Sequence, residues 1–361
     1  MNAIATLIAL ALAAGAAENT PITTTSRAAL RDLAEKRGLL IGPCVSTGAF
    51  KNAMKGKGVT YTKLLAREFN ILTPENAGKM HALSTGPNQW DFRTLDAMFD
   101  FAEEHRMKVR LHTGIWHRAV PGWIGEGDLS DEQIAAAARE HIAAVGKRYA
   151  KRMAYWDVVN EAIDDKTFGL RKSLWLKALG EDYLDDLYRR AHKAAPNVKL
   201  VYNDYGIIGG GRKTDAVYEL VKGMQARGVP IHAVGFQCHF VGKQMPSAEK
   251  MAETLRRFAK LGVEVHITEL DIATKHFAGD RAKVLATQAD RYARVMKAFL
   301  SVPEATVLQT WGFTDRYTWL RNFLKDPQSA PLLFDEDYRP KPAYEAVWNA
   351  LQAASPPSAP K

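Results

Sequence analysis

Eight short apolar runs, each followed by a stretch with helical spacing, predict an α/β chain folded as a single-domain (β/α)8 TIM barrel. Two further observations narrow the choice. The runs finish on polar residues, and no glycine-rich phosphate fingerprint follows the first of them, which disfavours an open doubly wound sheet that binds nucleotides. A chain of 361 residues with 47% hydrophobic and 25% charged residues is long enough for one large core. No internal linker, low-complexity block or repeat interrupts it, so residues 24–352 read as one domain and 353–361 as a disordered Pro/Ser tail.

The elements follow in order. LLIGPCV from Leu39 opens the series. FNILTPEN from Phe69 ends on Glu75 and Asn76, and KVRLHT from Lys108 ends on His112, with Trp116 and His117 just beyond. YWDVVN from Tyr155 closes on Asn160 and Glu161, and KLVYND from Lys199 on Asn203, Asp204 and Tyr205. HAVGFQC from His232 leads to Gln237 and His239, EVHITEL from Glu264 to Glu269 and Asp271, and TVLQTWG from Thr306 to Trp311. Intervening segments such as TLDAMFDFAEEHRM and EKMAETLRRFAKLG carry apolar residues three and four apart, the pattern of helices crossing over between parallel strands. In such a barrel the C-terminal strand ends line the mouth where chemistry sits. One polar strand end is commonly a helix cap or a solvated loop. Seven together, rich in carboxylate, amide and indole, point to a site.

Glu161 and Glu269 lie on the fourth and seventh strands, across the mouth from one another, so their carboxyls can converge on one substrate bond. Two opposed carboxyls suit glycoside hydrolysis, in which one gives a proton to the departing oxygen and the other, ionised, attacks or supports the anomeric carbon. Strand alternation puts Glu269 and Asp271 on one side, with Gln237 and His239 similarly disposed on the neighbouring strand. A His239 hydrogen bond to Glu269, with Asp271 orienting the ring, favours the charged form of Glu269 and fits it as nucleophile. Glu161 ends the apolar WDVV opposite a like charge, conditions that favour a carboxyl holding its proton, and so fits the acid and later the base. A rigid strand holds that carboxyl still and partly dry.

The stretches FNILTPENAGKM, VRLHTGIWH, YWDVVNEA, KLVYNDYG, VGFQCHF, HITELDI and QTWGFTDRYTWL, in this order and spacing, resemble the endo-1,4-β-xylanases of glycoside hydrolase family 10 from about residue 27 to residue 350. The resemblance implies retaining double displacement on internal β-1,4-xylosidic bonds of xylan or xylo-oligosaccharides, through a covalent glycosyl-enzyme, with Glu161 as acid/base and Glu269 as nucleophile. It implies catalytic support from His239, Asp271 and Asn160. Positions matching Glu75, Asn76 and Lys79 hold sugars on the non-reducing side of the cut. Those matching His112, Asn160, Gln237 and Trp311 surround the sugar under attack, His117 belongs to the substrate-binding set, and Trp116, Tyr205 and Trp319 are further walls. Sugar rings offer apolar faces to indoles and hydroxyl edges to amides and charges. The chain departs from the family pattern at Ala119, where a glutamine is usual, and at Met80, where a tryptophan is common. Both changes imply a weaker grip on the non-reducing side and poorer discrimination between xylo- and gluco-configured chains.

Other readings carry less of the sequence. With no HxH pair at the first strand and no HExxH, and with His112 and His117 five apart, a metal-dependent hydrolase is poorly supported. No metal and no cofactor are expected. A barrel that binds β-glycan without cleaving it would need none of the acid–base pair. The net charge of +9 is interleaved rather than clustered, which argues against a nucleic-acid groove. Cys44 and Cys238 are expected as free buried thiols. The apolar run from Ala3 to Ala17, ending in small residues, reads as a secretory leader spanning residues 1–17, with a secreted or periplasmic destination. No other segment is long and apolar enough to cross a membrane, and a monomer is expected.

Overall fold

The computed structural model describes residues 27–354. The expected leader at 1–17 lies outside the described residues, as does the expected tail at 353–361 except for Ala354 and Ala353, which closes the last helix instead of starting the tail. Each apolar run forms a strand: β1 (Leu40–Val45), β2 (Ile71–Pro74), β3 (Lys108–Trp116), β4 (Tyr155–Asn160), β5 (Lys199–Asp204), β6 (Ala233–Phe236), β7 (Glu264–Ile272) and β8 (Ala305–Thr310). Neighbours in the chain pair in parallel, and β1 pairs back onto β8 from Leu40 opposite Val307 to Pro43 opposite Thr310, so the sheet closes.

The crossovers are α1 (Thr60–Glu68), α2 (Arg93–Glu104), α3 (Asp131–Tyr149), α4 (Tyr183–Ala194), α5 (Arg212–Ala226), α6 (Ala248–Ala259) and α7 (Arg281–Leu300), with α8 (Pro342–Ala353) completing the outer ring. Their local signals are ordinary. In α3, Ser130 and Gln133 form a reciprocal capping box and Lys147 and Arg148 occupy the last turn, matching the helix dipole at both ends. In α4, Leu184, Leu187, Tyr188 and Ala191 recur at three- and four-residue spacing and all face the barrel. The principal core lies between helices and sheet.

Inside the barrel a second, small apolar cluster of Ile71, Tyr155, Val201, Ala233 and Val307 plugs the base. Because side chains on a strand face inward every second residue, the next interior positions follow directly as Thr73, Asp157, Asn203, Gly235 and Gln309. All of these are buried. The floor under the mouth is therefore polar and rests on an apolar plug.

Two strands differ from the sequence reading. β3 continues beyond His112 to Trp116, with an irregular register against β4 between His112 and Ile115. β6 stops at Phe236, and Cys238 takes a left-handed backbone (φ 60°) that breaks the run. His239 and Phe240 then form a separate two-residue strand beside β7, with His239 opposite Asp271. His239 reaches its neighbours by this re-entry rather than by continuing β6.

Gly42 sits where β1 passes β2, and a Cβ added there would run into the carbonyl oxygen of Ile71, so backbone would have to move. Gly42→Ala is expected to destabilise the barrel by about 3 kcal/mol, the upper range for overpacking a tight interior. A thermal melt followed by circular dichroism measures it, and an unchanged Tm would show that the two strands separate freely.

Candidate active site

The floor is organised by one buried ion pair. Arg110 starts level with Tyr155 of the plug, its register partner, and extends to the next layer. There its Nε and Nη2 donate to the two carboxylate oxygens of Asp157 at 3.0 and 2.6 Å. Its Nη1 donates to the Thr268 carbonyl and to Gln309 Oε1, each at 3.2 Å, and Gln309 Nε2 donates to Thr73 Oγ1 at 2.9 Å. Five strands are thereby cross-linked. A fork-to-fork pair whose guanidinium makes further hydrogen bonds is the form in which a buried charge pair is tolerated. Asp157 Oδ2 also lies 2.8 Å from His112 Nδ1, which fixes that ring at the mouth.

Glu269 stands on this floor. Its Oε1 accepts from Asn203 Nδ2 at 2.7 Å and has Arg110 Nη2 at 3.9 Å, while its Oε2 lies 3.1 Å from His239 Nε2. His239 Nδ1 is 2.9 Å from Asp271 Oδ1, and Asp271 Oδ2 accepts from the Trp319 indole at 2.8 Å. Burial alone would raise the Glu269 carboxyl. The His239 hydrogen bond, with His112 and Arg110, outweighs burial and holds it down at about 2. Burial likewise opposes charge on His239, but Asp271 and Glu269 lift the imidazole to about 10. Both ring nitrogens then act as donors.

Glu161 is held differently. Its Oε2 accepts from the Trp116 indole at 2.8 Å and its Oε1 from Gln237 Nε2 at 3.0 Å. Both donors are neutral. The residue follows β4 with a left-handed backbone (φ 57°), which turns its side chain out of the strand path. Asn160 lies between the carboxyls: its Oδ1 accepts from Asn203 Nδ2 at 2.9 Å and is 3.4 Å from Gln237 Nε2. A register irregularity between Asp157 and Val159 changes the phase of β4, so Asp157 and Asn160, three apart, both serve the interior.

The other candidate residues surround this pair. Lys79 is buried, donates to Asn76 Oδ1 at 3.0 Å, and lies 4.9 Å from the Trp116 ring and 5.8 Å from the Trp311 ring. Burial lowers its ammonium, against the pull of Glu269, Glu75 and other acids, and burial raises Glu75, against Lys79. Trp311 meets His112 edge-on at 5.3 Å, and Trp319 meets His239 at 5.2 Å. His117 sits edge-on to Trp116 at 5.9 Å, and burial lowers its imidazole. Tyr205 follows β5, its hydroxyl bonded to Asp165 and its ring 3.5 Å from Lys213 Nζ. Ala119 and Met80 are both buried, so neither offers surface to a ligand. Cys44 and Cys238 are free, buried thiols. Among the described residues no group of three or more His, Cys, Asp or Glu could hold a metal ion.

The floor residues Arg110, Asp157, Thr73, Thr268 and Gln309 are not among those marked by the polar strand ends. A signal was present, since charged or amide residues occupy inward positions within otherwise apolar strands. Arg171, in the loop after Glu161, carries no local pattern, yet its Nε donates to the Glu161 carbonyl at 3.0 Å.

The His239–Glu269 contact couples stability to pH from both sides. For His239, whose imidazole is raised from 6.5 to about 10, the contribution is complete below pH 6.5 and is lost as pH rises through 10. For Glu269, lowered from 4.5 to about 2, it is present above pH 4.5 and is lost as pH falls toward 2. Urea unfolding at intervals across pH 6.5 to 10 is expected to show falling stability, with a shallower fall for His239→Gln; parallel curves would remove the ion pair from the account.

Residues 29–350 match the sequence model of glycosyl hydrolase family 10. The chain is 35% identical over 324 residues to endo-1,4-beta-xylanase B of Thermotoga neapolitana, covering 90% of this chain and 91% of that protein. It is 36% identical to a beta-1,4-xylanase of Dictyoglomus thermophilum, covering 79% and 82%. Among solved structures, xylanase 10B of Thermotoga petrophila in complex with xylobiose superposes with a TM-score of 0.84 at 35% identity, covering 91% of this chain and 98% of that one. With the match extending over nearly all of the described barrel, the chain belongs to glycosyl hydrolase family 10.

Proposed function

We propose that this protein is an endo-β-1,4-xylanase that cleaves xylan or xylo-oligosaccharides with retention of configuration, Glu269 acting as nucleophile and Glu161 as acid and then base. The observation that carries the reading is the unequal setting of the two carboxyls. Glu269 is cradled by His239, Asn203 and Arg110 and kept ionised, whereas among the described residues the hydrogen bonds to the Glu161 carboxyl come from the neutral Trp116 and Gln237.

In the first step a Glu269 oxygen bonds to the anomeric carbon, the glycosidic C–O bond breaks, and Glu161 passes its proton to the departing oxygen. In the second, Glu161 as carboxylate takes a proton from water while the water oxygen attacks the same carbon, releasing sugar and restoring ionised Glu269. Asn160, Gln237, His112 and Trp311 line the sugar under attack in this scheme, and Trp116, His117, Tyr205 and Trp319 wall the cleft. Glu75, Asn76 and Lys79 grip the sugars on the non-reducing side. The xylobiose complex of the similar Thermotoga petrophila enzyme supports this choice of ligand.

Glu269→Gln is expected to abolish hydrolysis of xylotetraose while calorimetry still registers its binding. Glu161→Ala should lose about 10²- to 10⁴-fold on xylotetraose, the usual worth of a general acid, yet still react with 2,4-dinitrophenyl xylobioside, whose leaving group needs little protonation. Full turnover by Glu269→Gln would refute the assignment. Because Ala119 and Met80 replace larger side chains on the non-reducing side, the ratio of kcat/KM for aryl xylobioside over aryl cellobioside is expected to rise in Ala119→Gln; an equal ratio would assign discrimination elsewhere.

A further inference from the structure

The backbone at Glu161 occupies a region that non-glycine residues seldom adopt, and such a conformation persists only where its surroundings enforce it. The enforcing contacts come from both sides of the turn. Glu161 N–H donates to the Asn203 carbonyl, and Ala162 N–H to the Tyr202 hydroxyl, each at 3.0 Å. From the other side, Arg171 Nε donates to the Glu161 carbonyl at 3.0 Å and Arg171 Nη2 to the Ile163 carbonyl at 2.8 Å. The Arg171 N–H donates to the Ala162 carbonyl at 2.7 Å.

These two sets of contacts are joined in a loop. The Tyr202 hydroxyl donates to Asp204 Oδ2 at 2.7 Å, and Lys213 Nζ lies 2.9 Å from Asp204 Oδ1 and 2.8 Å from Asp165 Oδ1. Asp165 Oδ2 is 3.2 Å from Arg171 Nη2, which closes the circuit at Glu161. Asp204 is fully buried and Lys213 nearly so, so the charges are paired in a medium that penalises losing any one partner. None of Arg171, Asp204 or Lys213 contacts the Glu161 carboxyl; they grip the peptide that carries it.

We propose that Arg171, held by Asp165, Lys213 and Asp204, is a positioning residue that sets the direction of the Glu161 carboxyl. The inference rests on Glu161 being the acid/base. A catalytic group displaced by about 1 Å can cost about 100-fold. If Arg171 acts through the acid, its removal should hurt most where proton donation matters most.

Arg171→Met is therefore expected to lose about 100-fold in kcat/KM on xylotetraose, and far less on 2,4-dinitrophenyl xylobioside. Arg171→Lys should recover part of the loss. Asp165→Asn, altered at the half-exposed end of the circuit, should show the same split more weakly, and decides the matter if Arg171→Met does not fold. Equal losses on both substrates, or none on either, in folded variants would overturn the proposal. Glu161→Ala run alongside separates the two ideas: if it too shows no leaving-group dependence, the acid assignment fails, whereas a dependence there that is missing in the Arg171 and Asp165 variants removes only the positioning role.

Discussion

The guanidinium of Arg110 against the carboxylate of Asp157 is the contact on which the site is built. It joins β3 to β4 directly and reaches β7 through the Thr268 carbonyl, β8 through Gln309 and β2 through Thr73. A pair buried this deeply contributes little net stability against a hydrophobic isostere, and losing one member costs several kcal/mol because the other is stranded. Its value here is geometric. Asp157 fixes the His112 ring, Arg110 brings positive charge within 3.9 Å of Glu269, and both are anchored in strands rather than loops.

Above that floor, amide side chains link the surroundings of the two acids. Asn203 bonds to Glu269 and to Asn160, while Gln237 bonds to Glu161 and approaches Asn160. Amide side chains carry both donor and acceptor without net charge. They can hold two carboxyls in fixed relation without adding a formal charge beside either.

The barrel could be read from the sequence because each strand announces itself twice, by an apolar run and by the helical spacing that follows. The convergence of Glu161, Glu269, Asn160, Gln237 and Trp311 on one rim follows from chain order alone, since parallel strands all end on the same side. The floor was harder to read. YWDVVN looks apolar with one interruption, and only the register change between Asp157 and Val159 explains why Asp157 and Asn160 both serve the interior. The His239–Glu269 contact follows from alternation, but its route, through the break at Cys238, does not. Trp116 reads as a wall for sugar, and nothing in WHRA signals that its indole nitrogen is bonded to Glu161. Arg171 is beyond pattern reading altogether, because loop contacts have no period.

The way the described chain begins and ends has a practical consequence. Arg27 forms an ion pair with Glu345 and lies over the Trp348 ring, and the Ala354 carbonyl accepts from Arg37 shortly before β1 begins. Helices in this architecture run antiparallel to the strands, so α8 finishes on the side away from the catalytic rim. Both ends therefore emerge near one another on the far pole, where an added module, a surface tether or a circularising linker would leave the entrance to the cleft unobstructed.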